Sequence, residues 1–191
     1  MLSVVIATQD SERALLPTLA ALVAGAAAGL VREVIVADAG SRDATLAIAD
    51  EAGCRVLVST QARGARLKAA AVTARASWLL FLRPGVVLEA SWVDETGRFI
   101  DDAELRKDAS TYAVFRAGPL RPTVLEALGL LRAALGARPD ASQGLVIARS
   151  LYDALGGHSD VEEPEPELFR RLGRRRLFRL RTGAHRAHYL T

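Results

Sequence analysis

The chain has 191 residues, half of them hydrophobic, which allows one well-filled core, hardly allows two, and excludes a disordered chain. Its net charge of +3 rests on 25 Lys and Arg, of which only Lys68 and Lys107 are lysine, and the single cysteine, Cys54, excludes an internal disulfide framework and a cysteine zinc site. The opening MLSVVIATQD has no basic run and turns polar by Thr8, unlike a signal peptide. The alanine-rich ALLPTLAALVAGAAAGLV is broken by Pro17, Gly25 and Gly29, so it reads as a buried helix rather than a membrane span, and a cytoplasmic protein is expected.

Leu2 to Ala7 reads as the first strand, and Asp10 or Ser11 can cap the helix that runs to about Gly25. Val34 to Ala37 is the second strand. Asp38 stands where it ends, Ala39-Gly40-Ser41 makes a turn, and the helix TLAIADEAG follows with Gly53 as its stop. Ligands of open α/β sheets lie outside the carboxyl ends of the strands, which makes Asp38 a candidate base or ribose reader. The alternative for this turn is that Asp43 or Ser41 merely caps the helix. Arg55 to Ser59 is a third strand, a helix follows Gln61 to Arg66, and the continuous apolar Trp78 to Leu82 is a fourth, central strand. Strands alternating with helices in this way spell a parallel α/β unit with right-handed crossovers.

Beyond it the spacing predicts a helix over Glu89 to Leu105, a strand over Thr111 to Arg116 at an antiparallel sheet edge, and a helix over Pro122 to Leu135. A short strand over Gly144 to Ala148 and the helix SLYDALGG come next. From Arg170 to Arg186 there are eight arginines interleaved with Leu172, Leu177, Phe178 and Leu180. Such a tail could lie on an anionic membrane surface, or form a solvated helix face paired with Glu162 to Glu167. Nucleic acid is not expected, since there is little aromatic interleaving and no recognised motif. No repeat or linker divides the chain, so residues 1–191 are read as one domain.

Several separated segments, taken together, resemble the family 2 glycosyltransferases with the GT-A fold, the short soluble bacterial members in particular. The turn Thr8-Gln9-Asp10-Ser11-Glu12 stands where that family has Pro-Thr-x-Asn-Glu, and Asp38, Gly40, Ser41, Asp43 and Thr45 match its Asp-x-Gly-Ser-x-Asp-x-Thr. Arg63-Gly64, Leu79 to Leu82, Gln143-Gly144 and LYDALGG follow in the family's order. The resemblance implies a mixed, mainly parallel Rossmann-like sheet flanked by helices, with a nucleotide-binding half at 1–88 and an acceptor half at 89–191. It implies transfer of a sugar from a nucleotide diphosphate, UDP-sugar foremost, to an acceptor hydroxyl on a glycan or a lipid-linked molecule. A lipid-linked acceptor would suit a basic tail at the inner membrane. Thr8 and Asp38 would lie against base and ribose, with Asp10 nearby in the turn. The leaving diphosphate needs a cation or donors aimed at it, and a carboxylate must take the acceptor proton.

Two departures from the family stand out. Where it holds Mg²⁺ or Mn²⁺ with Asp-x-Asp after the fourth strand, this chain reads Phe81-Leu82-Arg83-Pro84-Gly85, so the usual metal ligands are missing. Arg83 could contact the diphosphate directly, or be a structural arginine of an inactive site; Glu89 could replace the ligands only if the backbone reaches differently. Arg63 and Arg66 flank Gly64 before a helix, where a phosphate could sit. The second departure is the base: the family's Glu-Asp aligns on Pro164-Glu165, which makes Glu165 the candidate base and Glu163 the alternative if the register slips. Otherwise Glu165 is an acidic first-turn residue that favours the helix dipole. His158, where the family has an aromatic residue, is read as packing, His185 and His188 as holding no metal, and Trp78 and Trp92 as core or acceptor-cleft wall. Two functions stay open: an active transferase, or a degenerate nucleotide-sugar-binding or partner protein without turnover.

Overall fold

The structure, a computed structural model, describes residues 1–117 and 139–187. Strands β1 (Leu2–Thr8), β2 (Val31–Asp38), β3 (Arg55–Val58) and β4 (Trp78–Leu82) pair in parallel, connected through α1 (Glu12–Ala27), α2 (Thr45–Glu51) and α3 (Arg63–Thr73). Every residue of β1 and β4 is buried, which is why both read as unbroken runs instead of alternating ones. The second half supplies β5 (Val86–Leu88), α4 (Trp92–Leu105), β6 (Tyr112–Ala117), β7 (Leu145–Ala148), α5 (Arg149–Ala154), α6 (Glu165–Leu172) and β8 (Leu177–Arg186). The eight strands form one sheet in the order β3-β2-β1-β4-β7-β6-β8-β5, with β7 antiparallel to both β4 and β6, and β8 parallel to β6.

Both tryptophans belong to the core. The Trp92 ring lies against Gly25 of α1, where a Cβ would come within 2.4 Å of it, and its indole N–H donates to the Ala21 carbonyl at 3.0 Å. Trp78 meets Phe99 edge-on at 5.6 Å and donates to Glu104 at 3.0 Å. Burying an aromatic side chain of this kind contributes about 2–3 kcal/mol. Cys54 packs against the same core, and burial pushes its thiol up to about 11. Among the described residues no helix is long and apolar enough to cross a membrane.

Three expectations change. The strand near residue 112 is not at the sheet edge but lies between β7 and β8, because β8 adds beside it. The basic tail is not one helix: after Leu172 it makes a 3-10 turn over Arg174–Arg176 and then enters the sheet as β8, with Leu180, Thr182 and Ala184 buried and Arg179, Arg181 and His185 outward. The helix predicted from Glu89 starts at Trp92, since Val86 to Leu88 is spent on β5. The helix predicted over Pro122 to Leu135, and His188, lie outside the described residues.

Candidate functional site

The carboxyl ends of β1 and β2 meet at Asp38, which is fully buried. Gly40, at φ +89°, turns the chain so that the backbone N–H groups of Gly40 and Ser41 both donate to Oδ1, at 2.7 and 2.6 Å. The hydroxyls of Thr8 and Ser41 donate to Oδ2, at 2.7 and 2.6 Å. Burial opposes ionisation of Asp38, but these bonds from Ser41, Thr8 and Gly40 outweigh it and hold its pKa below the ordinary carboxylate range. Four donors fill the lone-pair sites of one carboxylate, so Thr8 and Asp38 are spent on shaping the turn. Asp10 stays exposed at φ +43°, and one of its oxygens accepts from the Arg42 N–H at 2.8 Å. The N-cap of α2 is Ala44, without a side-chain cap, and Asp43 just before it accepts from the Thr45 N–H at 3.0 Å and from the Glu12 N–H at the start of α1, again at 3.0 Å.

Arg66, 4% exposed, reaches under this turn and donates to the Thr8 and Ala37 carbonyls at 2.8 and 2.6 Å. Burial lowers its pKa, partly offset by Glu162 and Asp38. At the N-terminus of α3 the Gly64 N–H is taken by the Val161 carbonyl at 3.0 Å. Only glycine fits here: a Cβ on residue 64 would lie 1.8 Å from the Ser159 carbonyl oxygen. The close approach seats the 159–163 loop on α3 and brings its carboxylates to the arginines.

The result is a compact charge cluster. Arg63 grips Glu165 with both terminal nitrogens, at 2.5 and 2.6 Å, and reaches Glu163 at 3.2 Å. Arg83, at the turn after β4, donates to Glu163 at 2.6 Å and to both oxygens of Glu165 at 3.3 Å. Burial would raise the Glu165 pKa, but hydrogen bonds and charge from Arg63 and Arg83 bring it below the usual range. The Arg83 pKa is raised by its carboxylate partners against the effect of burial. Glu165 also begins α6, so the dipole reading and the cluster coexist.

Beside the cluster opens a cleft of about 370 Å³, lined in part by Ser11, Arg63, Arg83, Gly85, Arg186 and Ala187. That volume is in the range of small-molecule sites. A pocket of about 20 Å³ lies under Glu165 and reaches His158 and Phe81, with room for one water. His158, 2% exposed, shares its Nδ1 with the Tyr152 hydroxyl at 2.8 Å and stands edge-on to Phe81, while its buried Nε2 has no partner. Burial lowers its pKa to about 4. It packs as expected, as a neutral ring.

A divalent cation does not fit this donor set. The turn after β4 presents a guanidinium, and both nearby carboxylates are held by arginines. Gly85 is pinned by the Ala14 carbonyl at 2.8 Å and the Thr18 hydroxyl at 2.9 Å, so the turn is fixed. Glu89 points elsewhere: it accepts from the Gly183 N–H at 2.8 Å and from Arg116 at 3.2 Å, tying β5 to β8. Among the described residues no group of three His, Cys, Asp or Glu is placed to hold a metal.

Of the residues singled out in the sequence, Arg63, Arg83 and Glu165 meet in one cluster, while Thr8, Asp10 and Asp38 gather at the neighbouring turn. Arg186 was missed, being one of eight tail arginines with nothing local to set it apart. Arg66, singled out with Arg63 beside Gly64 as a place for a phosphate, is instead buried on the Thr8 and Ala37 carbonyls.

The family described as Glycosyl transferase family 2 matches residues 3–83. No curated protein matches the sequence. Among solved structures, S. aureus TarS 1-349 aligns at 14% identity with a TM-score of 0.72, over 97% of this chain and 60% of that one. The same fragment in complex with UDP-GlcNAc gives 18% and 0.72, over 99% and 59%. Glucosyl-3-phosphoglycerate synthase from Mycobacterium tuberculosis, in complex with Mn²⁺, UDP and glucosyl-3-phosphoglycerate, gives 20% and 0.71, over 100% and 72%. The chain thus spans about three fifths of the TarS fragment. Residues 3–83 thus resemble family 2 glycosyltransferases in sequence, and the described chain shares the GT-A fold of these solved structures.

Proposed function

We propose that this chain binds a nucleoside-diphosphate sugar, with UDP as the nucleotide, across the carboxyl ends of β1, β2 and β4 and transfers the sugar to an acceptor hydroxyl. One observation carries the reading: Arg63, Arg83 and Glu165, from three separate elements, meet in one cluster, and the two arginines line the cleft beside it at the strand ends where α/β sheets take ligands. The neighbours in complex with UDP-GlcNAc and with UDP support the choice of nucleotide. The nucleoside falls to the turn built by Thr8 and Asp38, with Asp10 as its exposed carboxylate, and the diphosphate to Arg63 and Arg83.

In the transfer the acceptor oxygen bonds to the anomeric carbon, the bond from that carbon to the diphosphate oxygen breaks, and its electron pair leaves with the phosphate. The acceptor proton goes to Glu165. While both arginines hold it, Glu165 is a weak base; it gains basicity when they turn to the diphosphate. That same grip favours a second reading, binding of the nucleotide sugar without turnover.

Calorimetric titration with UDP, GDP and dTDP, followed by an assay for release of UDP from UDP-sugars, tests both. The transferase reading expects UDP to bind, and Glu165→Gln to keep binding while turnover falls about 10²–10⁴-fold. Wild-type binding without turnover selects the second reading. No affinity for any of the three nucleotides overturns both.

A further inference from the structure

The cleft has a third guanidinium. Arg186 enters from the end of β8, opposite Val86 in the β5–β8 pairing, and the next residue is fixed by the Ala187 N–H donating to the Gly85 carbonyl at 2.7 Å. The turn carrying Arg83 and the strand end carrying Arg186 are therefore held together by backbone bonds, and both side chains line the cleft with Arg63. Two of these three arginines are covered by Glu163 and Glu165, whereas Arg186 makes no ion pair among the described residues. Its charge reaches Asp140, whose pKa is lowered chiefly by hydrogen bonds from Ser142 and to a lesser degree by Arg83 and Arg186. Arg63 and Arg83 are thus engaged by carboxylates at contact distance, and Arg186 is the guanidinium of the cleft without an ion pair among the described residues.

We propose that Arg63, Arg83 and Arg186 form a metal-free diphosphate site, in which Glu163 and Glu165 stand in for the anion until a diphosphate displaces them. This rests on the transferase-fold cleft described above and names the group it holds. Guanidiniums suit phosphate oxygens through paired donors. Glu163, with a side chain 68% exposed, can swing into water at little cost, since exposed ion pairs contribute about 0–1 kcal/mol. Its release frees Arg83 first. Arg186 needs no release and offers the first contact.

The test is calorimetric titration of the full chain with inorganic pyrophosphate, UDP and uridine in EDTA, and with UDP in Mn²⁺, using wild type, Arg186→Ala, Arg186→Lys and Glu163→Gln. Pyrophosphate and UDP are expected to bind in EDTA, with no gain for UDP in Mn²⁺. Arg186→Ala should weaken both about 10- to 100-fold, the range for losing charged hydrogen bonds, with uridine unaffected and partial recovery in Arg186→Lys. Glu163→Gln should tighten both about two- to fivefold by removing the internal competitor, a gain that a merely structural residue would not produce. UDP binding that requires Mn²⁺, or wild-type affinity in Arg186→Ala, overturns this inference and leaves the transferase reading standing. Pyrophosphate binding with the expected variant effects, but with UDP no tighter than pyrophosphate, upholds the anion site and overturns the nucleotide reading. Silence from every ligand overturns both.

Discussion

Two helical glycines are expected to respond oppositely to the same substitution. Glycine to alanine inside a helix normally stabilises by about 0.5–1 kcal/mol, through lower unfolded-chain entropy and better helix propensity. Gly97, inside α4, has nothing within 4 Å of an added Cβ and should show that gain. Gly64 in α3 should not, because its Cβ would sit 1.8 Å from a backbone oxygen of Ser159 and 3.0 Å from that of Val161. Ordinary contact begins near 3.4 Å, so the 159–163 segment must move by more than an ångström. Overpacking of this kind costs about 1–3 kcal/mol, and the lost Gly64–Val161 hydrogen bond a further 0.5–1.5 kcal/mol or so. The sum, about 2–4 kcal/mol, corresponds to a fall in Tm of roughly 6–12 °C for a chain of this size. Urea melts of Gly64→Ala and Gly97→Ala beside wild type measure both signs. A Gly64→Ala variant as stable as wild type would show that the loop is not seated on α3 as described, and would remove the reason for Glu163 and Glu165 to face the arginines.

Two further outcomes follow from single side chains. His158 is neutral when folded, with its pKa lowered to about 4, but titrates near 6.5 when unfolded, so its contribution is complete above about pH 6.5 and is lost as pH falls towards 4. That loss is on the order of 3 kcal/mol; in His158→Phe the acid limb of a pH series of thermal melts should be flatter over this interval, and superimposable slopes would sink the assignment. Glu89→Ala should cost about 1–3 kcal/mol through the Gly183 and Arg116 bonds, while leaving UDP affinity unchanged with or without Mn²⁺. A Mn²⁺ effect present in wild type and absent in Glu89→Ala would instead make Glu89 a metal ligand.

β1 and β4 were legible because burial on both faces writes itself as Val, Leu and Ile runs, as in Leu2 to Ile6 and Trp78 to Leu82, while β3, with no buried residue, showed only through Val56, Leu57 and Val58. β8 was not, because its inward positions are Leu180, Thr182 and Ala184, of which only one is strongly apolar, and arginines crowd the outward ones. β5, three residues long, is too short to show a period. At the site, residue types were readable and pairings were not. Glu165 stood out as a carboxylate before a helix, yet its partners lie 102 and 82 residues away, on α3 and on the turn after β4, and only the fold brings them together. Asp38 was visible as a strand-end carboxylate, but the saturation of its oxygens depends on Thr8, 30 residues earlier.

The place of β8 in the sheet also sets a timetable. During synthesis, the parallel unit through β4 can pair internally as soon as residue 82 is made, yet the outer edge of β4 waits for β7 at Leu145 to Ala148. β5, made directly after β4, has no strand to join until residues 184–186 appear. A nascent chain thus carries an open strand edge for more than sixty residues of growth, the kind of edge that invites pairing with another chain. Ser3, Glu33 and Arg75, bonded together at the opposite end of the unit, are already in place by then, whereas the arginine-lined cleft is among the last features to be completed.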